Sequence, residues 1–263
     1  MSINFLNIDP ILINIGPLPI RWYSIAYIAG ILIGISYIKY LSKKANFKLP
    51  KDFFDNFLIF IIIGIIIGGR LGYVFIYDPS SFISQPIKIL KTWTGGMSFH
   101  GGLLGFIVST IIFSKKYRVN HWKIFDLSAC AAPIGIFFGR IANFINGELV
   151  GRVTDVSWGV FFPGAGYMAR HPSQIYEALT EGIIVFIIMN ICFLKYKLFK
   201  KERMLSGLFG ITYSIGRFVV EFFREPDQSI GYILNHFTMG QIISLLLIAL
   251  SIVIIKFDPL KKI

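Results

Sequence analysis

Three arginines, Arg70, Arg140 and Arg217, interrupt long apolar runs of this chain. A charged side chain at membrane depth generally faces a cavity, a partner or a substrate. Arg140 opens the densest polar stretch, which runs through Asn143, Asn146 and Glu148 to Gly151 and Arg152. Arg140 and Asn143 are spaced i,i+3, while Tyr213, Arg217, Glu221 and Arg224 follow at i, i+4, i+8 and i+11, so on helices each set shares one face. A guanidinium holds a phosphate through paired donors, and two arginine-bearing faces from different helices make a clamp for one. Tyr27 joins the set, as does His100, a candidate base flanked by Gly95-Gly96 and Gly101-Gly102, where a ligand or another backbone can come close.

The elements that would position these groups are membrane helices. Of 263 residues, 55% are hydrophobic and only 15% charged, 26 are phenylalanine, and the mean hydropathy is +0.68, far more apolar than a soluble domain of this length. Spanning the hydrocarbon takes about 20 apolar residues, and seven runs qualify, at about 20–41, 53–77, 97–113, 124–145, 174–194, 205–223 and 240–256. The reading is an all-α polytopic protein, one integral-membrane domain over 1–263 with a loop insertion at about 146–173. A connection that long is commonly functional, and Ser173 is placed to cap the fifth helix. Cys130 and Cys192 lie inside apolar runs without metal-type spacing and read as bystanders; no metal and no cofactor is expected. The N-terminal segment has no basic residue before Arg21, unlike a cleavable signal peptide, and its mild apolarity suits a segment lying along the membrane surface.

Basic residues set the orientation. Lys39, Lys43, Lys44, Lys48 and Lys51 fall between the first two spans, and Lys115, Lys116, Arg118 and Lys123 between the third and fourth. Lys195, Lys197, Lys200, Lys201 and Arg203 lie between the fifth and sixth, with Lys256, Lys261 and Lys262 at the end. The opposite loops hold only Arg21, Lys88, Lys91, Arg152, Arg170 and Arg224. The positive-inside rule then places the N-terminus outside and the C-terminus in the cytoplasm. That pattern also accounts for the net charge of +12 without nucleic acid. At about 1.5 Å of rise per residue, Tyr27, Arg70, His100, Arg140 and Arg217 all come within roughly 5 to 11 Å of the outer boundary, as one outward-facing polar cavity would require.

Plainer readings stand beside these. Arg217 and Glu221 would pair within their own helix, Arg70 would snorkel to the interface, and Tyr27 and Tyr213 would sit in an aromatic belt. Composition and spacing point to an anionic lipid as ligand and go no further. They leave open a lipid-modifying enzyme, a transporter or flippase for an anionic lipid, and a structural subunit. A transporter predicts inverted repeats and polar groups near the midplane, whereas here the polar groups cluster toward one face.

Several blocks carry a resemblance: Phe99-His100-Gly101-Gly102-Leu103; Gly139-Arg140 with Asn143-Phe144-Ile145-Asn146-Gly147-Glu148 and Gly151-Arg152; Arg170-His171-Pro172-Ser173-Gln174-Ile175-Tyr176-Glu177; and Arg217-Phe218 with Glu221-Phe222-Phe223-Arg224-Glu225-Pro226-Asp227. With Arg21-Trp22-Tyr23 and Gly68-Gly69-Arg70-Leu71-Gly72-Tyr73 they cover nearly the whole chain, in an order that resembles the bacterial prolipoprotein diacylglyceryl transferases. Ala142, where a glycine is common, and Val150, often tryptophan, depart from the pattern without removing a polar group.

The resemblance implies transfer of the sn-1,2-diacylglyceryl group from phosphatidylglycerol to the lipobox cysteine of a prolipoprotein signal peptide, forming a thioether and releasing glycerol phosphate. It implies a multi-pass protein of the bacterial cytoplasmic membrane with its site toward the outer leaflet. On that reading His100 takes or orients the thiol proton, and Arg140 and Arg217 hold the phosphate. Tyr27, Arg70, Asn143, Asn146, Glu148, Gly151, Tyr213 and Glu221 would bind or orient the substrate.

Overall fold

The computed structural model describes residues 3–4, 8–16, 18–90, 95–226, 231–233 and 236–256. Lys91, Asp227, Lys261 and Lys262, singled out above, lie outside the described residues. All seven expected runs are helices: α1 Trp22–Lys44, α2 Phe53–Ile76, α3 Phe99–Tyr117, α4 His121–Ile145, α5 Ser173–Lys195, α6 Met204–Val220 and α7 Met239–Lys256. Five of them, α1, α2, α4, α5 and α7, are long and apolar enough to cross a membrane; α6 is apolar but only 17 residues long, and α3 is less apolar than the five. The chain forms two compact units, one of residues 1–45 with 126–263 and one of residues 46–125.

The smaller unit is built on a glycine seam. Gly64, Gly68 and Gly72 recur at every fourth residue of α2, and Gly101, Gly105 and Ser109 do the same on α3. A Cβ on Gly68 would come 2.8 Å from the Gly105 Cα, and one on Gly72 would come 2.8 Å from the Gly101 Cα. Small residues at this spacing let two helices approach at backbone distance, an arrangement typical of helix pairs in lipid. Gly101, directly after His100, is therefore occupied by a helix, and Gly96 lies against the Tyr73 ring of that helix, whereas a Cβ on Gly95 would meet nothing within 4 Å. At the other end the seam gives way to rings: Phe53, Phe57, Phe113 and Tyr117 pack edge-on and face-on with centroids 4.4 to 6.5 Å apart. α3 continues past the expected end at 113 to Tyr117, because Lys116 lies over the Phe60 ring and Arg118 closes the helix with a left-handed φ of 52°.

In the larger unit, α1 meets α4 where a Cβ on Gly30 would come within 3.0 Å of the Gly135 Cα. The N-terminal segment is not a helix but an antiparallel pair, Ile11–Ile15 with Leu18–Arg21, that leads directly into α1. α5 is not uniform, since it carries π-helical turns over Ala178–Ile184 and Ile191–Lys195. Such turns are rare and often mark functional positions. Buried Asp126 on α4 caps α6 from across the unit: its Oδ1 accepts from the Ser206 amide at 2.7 Å and the Ser206 hydroxyl at 2.6 Å, and its Oδ2 accepts from the Arg203 amide at 3.0 Å. Asp126→Ala should cost roughly 2 kcal/mol, read as a lower Tm in detergent, whereas Asp126→Asn should recover most of the loss.

Candidate functional site

The larger unit gathers charges from α4, α5, α6 and the turn that follows α6. Glu177 and Glu181, fully buried on α5, stand opposite Arg140 of α4 and Arg217 of α6. Arg140 Nη1 lies 3.2 Å from Glu177 Oε2, and its Nη2 donates to Glu181 Oε2 at 3.1 Å. Arg217 Nη1 donates to Glu177 Oε1 at 3.1 Å while its Nη2 contacts Glu221 Oε2 at 2.6 Å. Arg224 Nη1 reaches the same Glu177 Oε1 at 2.9 Å. The spacing argument holds in part: Arg140 and Arg217 come together from different helices, but α6 ends at Val220, so Arg224 reaches Glu177 from the turn beyond the helix and not from a face shared with Arg217. The plainer reading of Arg217 also holds, since it pairs with Glu221 one turn on. The spacing of the polar residues does not single out the carboxylate that joins all three arginines: Glu177 lies in one of the blocks that carry the resemblance, and Glu181 in none. The available signal was two glutamates four residues apart inside an apolar run, which is as costly as an arginine there.

Glu221 is held from a second direction. Thr238, just before α7, donates its hydroxyl to Glu221 Oε1 at 2.9 Å, and Gly240 leaves the room that carboxylate needs, since a Cβ there would come 2.6 Å from Oε1. Tyr213 lies on the same face of α6 as Arg217, half-buried.

Asn143, Asn146 and Glu148 form a local group at the end of α4. Glu148 Oε1 accepts from Asn143 Nδ2 at 2.8 Å and from Asn146 Nδ2 at 3.3 Å, and the Glu148 amide donates to the Asn143 carbonyl at 3.1 Å. The start of α5 fastens to this group from below: Gln174 Nε2 donates to the Glu148 carbonyl at 2.6 Å, and Ser173 Oγ donates to the Leu149 carbonyl at 3.0 Å. Ser173 is therefore a tie between segments and not the cap expected of it; the residue at the cap position is Pro172.

The loop beyond Glu148 is ordered by Gly151 and Arg170. Gly151 threads between two strands of backbone, its amide donating to the His171 carbonyl at 3.0 Å, and a Cβ would come 2.7 Å from the Phe223 carbonyl. Arg170 gathers the Ala165 and Gly151 carbonyls at 3.1 and 3.0 Å and the Glu225 carboxylate at 3.0 Å. Arg152 donates to the carbonyls of Arg224 and Glu221 at 2.9 and 3.3 Å. His171 Nδ1 lies 3.2 Å from the Tyr176 hydroxyl, which also accepts from Trp158 at 2.7 Å, and partial burial holds the imidazole below its ordinary pKa. Tyr27 is half exposed and meets Tyr23, hydroxyl to hydroxyl, at 3.0 Å.

In the smaller unit, Arg70 proves to be neither snorkelling nor open. It is buried, with Nε donating to the Ile89 carbonyl at 3.0 Å and Nη1 to those of Gly95 and Gly96. The two glycines can turn both carbonyls toward it because their φ values are +86° and +82°, in the region glycine enters without penalty. Arg70 thus anchors the segment that leads to His100 instead of offering its donors to a ligand. His100 is exposed in the first turn of α3, behind the Ser98 cap whose hydroxyl accepts from the Gly101 amide at 3.2 Å.

Arginines from two apolar helices thus meet on one buried carboxylate. The chain matches the prolipoprotein diacylglyceryl transferase family over residues 10–257. It belongs to that family. Among its relatives, the phosphatidylglycerol–prolipoprotein diacylglyceryl transferase of Rickettsia felis is 48% identical over 97% of this chain and 99% of its own. Those of Rickettsia bellii and Rickettsia africae are each 49% identical, covering 95% and 94% of this chain and 95% of their own. Coverage of that kind leaves no part of the diacylglyceryl transferase family pattern, from Trp22 of α1 to the turn at Arg224, outside the match.

Proposed function

We propose that this protein transfers the sn-1,2-diacylglyceryl group of phosphatidylglycerol to the lipobox cysteine of a prolipoprotein. The observation that carries the reading is the meeting of Arg140 and Arg217 on Glu177, in a chain of this family. The cysteine sulfur forms a bond to the glyceryl carbon as the bond from that carbon to the phosphate oxygen breaks. Glycerol phosphate leaves with the electron pair, and the thiol proton passes to a base. A thiol has a pKa of about 8.5 and attacks as the thiolate, so a base or a positive field is needed near neutral pH. His100 is the base in this reading, in the first turn of a helix whose dipole favours negative charge.

Arg140 and Arg217 hold the phosphate and stabilise the charge that grows on it. They are already fixed by Glu177, so their remaining N–H edges need little reorganisation when a phosphate arrives. Tyr213 and Glu221 orient Arg217. Tyr27 lines the lipid side, and Asn143, Asn146, Glu148 and Gly151 shape the loop over the headgroup. Arg70 fixes the segment before His100.

The same reading takes all seven helices as spans of one integral domain in the bacterial cytoplasmic membrane. The N-terminus is outside, the C-terminus inside, and the loop at 146–173 sits on the outer face, where phosphatidylglycerol headgroups and the lipobox both lie. Support comes from the distribution of lysine and arginine over the loops. The test is incubation of the purified protein with phosphatidylglycerol labelled in its acyl chains and a lipobox peptide. The cysteine peptide should gain label and a serine version should not; label in neither would end the reading. Arg217→Lys should lower kcat/KM by about 10²-fold, because lysine cannot make the paired contact.

A further inference from the structure

Among the described residues, the ion pairs joined through Glu177 balance, Arg140, Arg217 and Arg224 facing Glu177, Glu181 and Glu221, and the separate pair of Arg170 with Glu225 is balanced too. Glu177 and Glu221 each have more than one partner, as does every arginine but Arg224. Glu181 differs. Its side chain is fully buried, its Oε2 pairs with Arg140 alone at 3.1 Å, and its Oε1 is buried without a hydrogen-bond partner among the described residues. It stands at the π-helical turn of α5, four residues beyond Glu177. A buried carboxylate kept with half of its hydrogen-bonding capacity unused carries a stability penalty, and the one ion pair it makes, with Arg140 at 3.1 Å, is what it contributes.

The charge on Glu181 matters because of what the proposed reaction does to its substrate. Phosphatidylglycerol brings one negative charge to the arginines as a phosphodiester. The glycerol phosphate that leaves is a monoester with a charge of about −1.5 to −2 at pH 7. A clamp with surplus positive charge would therefore hold its product more tightly than its substrate. We propose that Glu181 is a positioning residue that offsets the charge of Arg140, so that the clamp holds the growing negative charge during transfer and still releases the glycerol phosphate. The inference rests on the transfer reading above.

The test compares the wild-type protein with Glu181→Gln and Glu181→Asp. Glycerol phosphate is titrated calorimetrically, without turnover, and kcat and KM are measured with labelled phosphatidylglycerol and the cysteine peptide. Glu181→Gln should bind glycerol phosphate about tenfold more tightly or better, since one unit charge has been uncovered at close range. Its KM should fall and its kcat should fall with it, as release becomes limiting. Glu181→Asp, which keeps the charge, should bind the product as the wild type does. Product affinity in Glu181→Gln equal to or weaker than wild type would overturn the proposal and leave Glu181 as packing.

If Glu181→Gln yields no folded protein, Arg140→Gln/Glu181→Gln should recover the fold, because no charge is left unbalanced; a double variant no better folded than the single would equally overturn it. A wild-type protein that transfers no label, with the calorimetric difference intact, would sink the transfer reading and spare the charge balance. Transfer without that difference would do the reverse.

Discussion

Glu177→Gln is expected to impair transfer severely and to unfold the larger unit some 3 to 5 kcal/mol more easily than the wild type, the usual scale for removing one member of a buried ion-pair set. The glutamate accepts from two arginines at one oxygen and faces a third across the other. An amide in its place offers a single oxygen, and its NH2 must then point at a guanidinium, donor against donor. Whichever way the amide turns, at least one arginine loses its partner. Transfer of labelled diacylglycerol should fall by at least about 10²-fold, with a clear drop in Tm. Glu177→Asp should keep more stability than activity, since the charge remains but the reach does not. A Glu177→Gln protein melting within a degree of wild type and turning over normally would show that the convergence is incidental.

Gly105→Val is expected to be as damaging in the smaller unit, for a reason unrelated to charge. A Cβ at Gly105 would overlap the Gly64 carbonyl, and its neighbours on the seam are themselves backbone atoms, which cannot rotate aside. The helices must separate, exposing every close contact from Gly64 to Gly72. Overpacking of this kind costs about 3 kcal/mol or more, and the loss should appear as poor yield and a lowered Tm. Gly135→Ala is the control: a Cβ built there meets nothing within 4 Å, so the change should be neutral or slightly stabilising through helix propensity.

Much of this architecture could be read from the chain. The seven helices announce themselves as apolar runs, because a helix in lipid must be apolar on nearly every face and a single periodicity is not needed to find it. The joining of Arg140 with Arg217 was also within reach, since a charge in such a run is too costly to stand alone. What the sequence hid is the identity of the partners. Arg70 looked like a ligand-binding arginine, yet it serves the carbonyls of Ile89, Gly95 and Gly96, and no spacing rule pairs a helix residue with a distant loop carbonyl. Ser173 has the residue type of a cap and ties a neighbouring segment instead. The glycines around His100 were legible as sites of close approach, but whether a ligand or a helix approaches depends on α2, whose matching glycines begin nearly forty residues earlier. The hairpin before α1 was missed because its alternating apolar residues are also what a surface-lying segment would show.

The shared carboxylate also bears on how the protein is made. The helix that carries Glu177 and Glu181 enters the membrane as it leaves the ribosome, and a charged residue in an inserting helix is costly, up to about 2.5 to 3.5 kcal/mol at its centre. Arg140 precedes both glutamates in the chain and contacts both in the finished fold, so a partner is already in place when they arrive. Arg217 and Arg224 emerge later and find Glu177 waiting, an anchor for the short and less secure α6. The order of residues along the chain is thus also a workable order of assembly for this cluster, in which each charge after Arg140 is met by one of opposite sign synthesised before it.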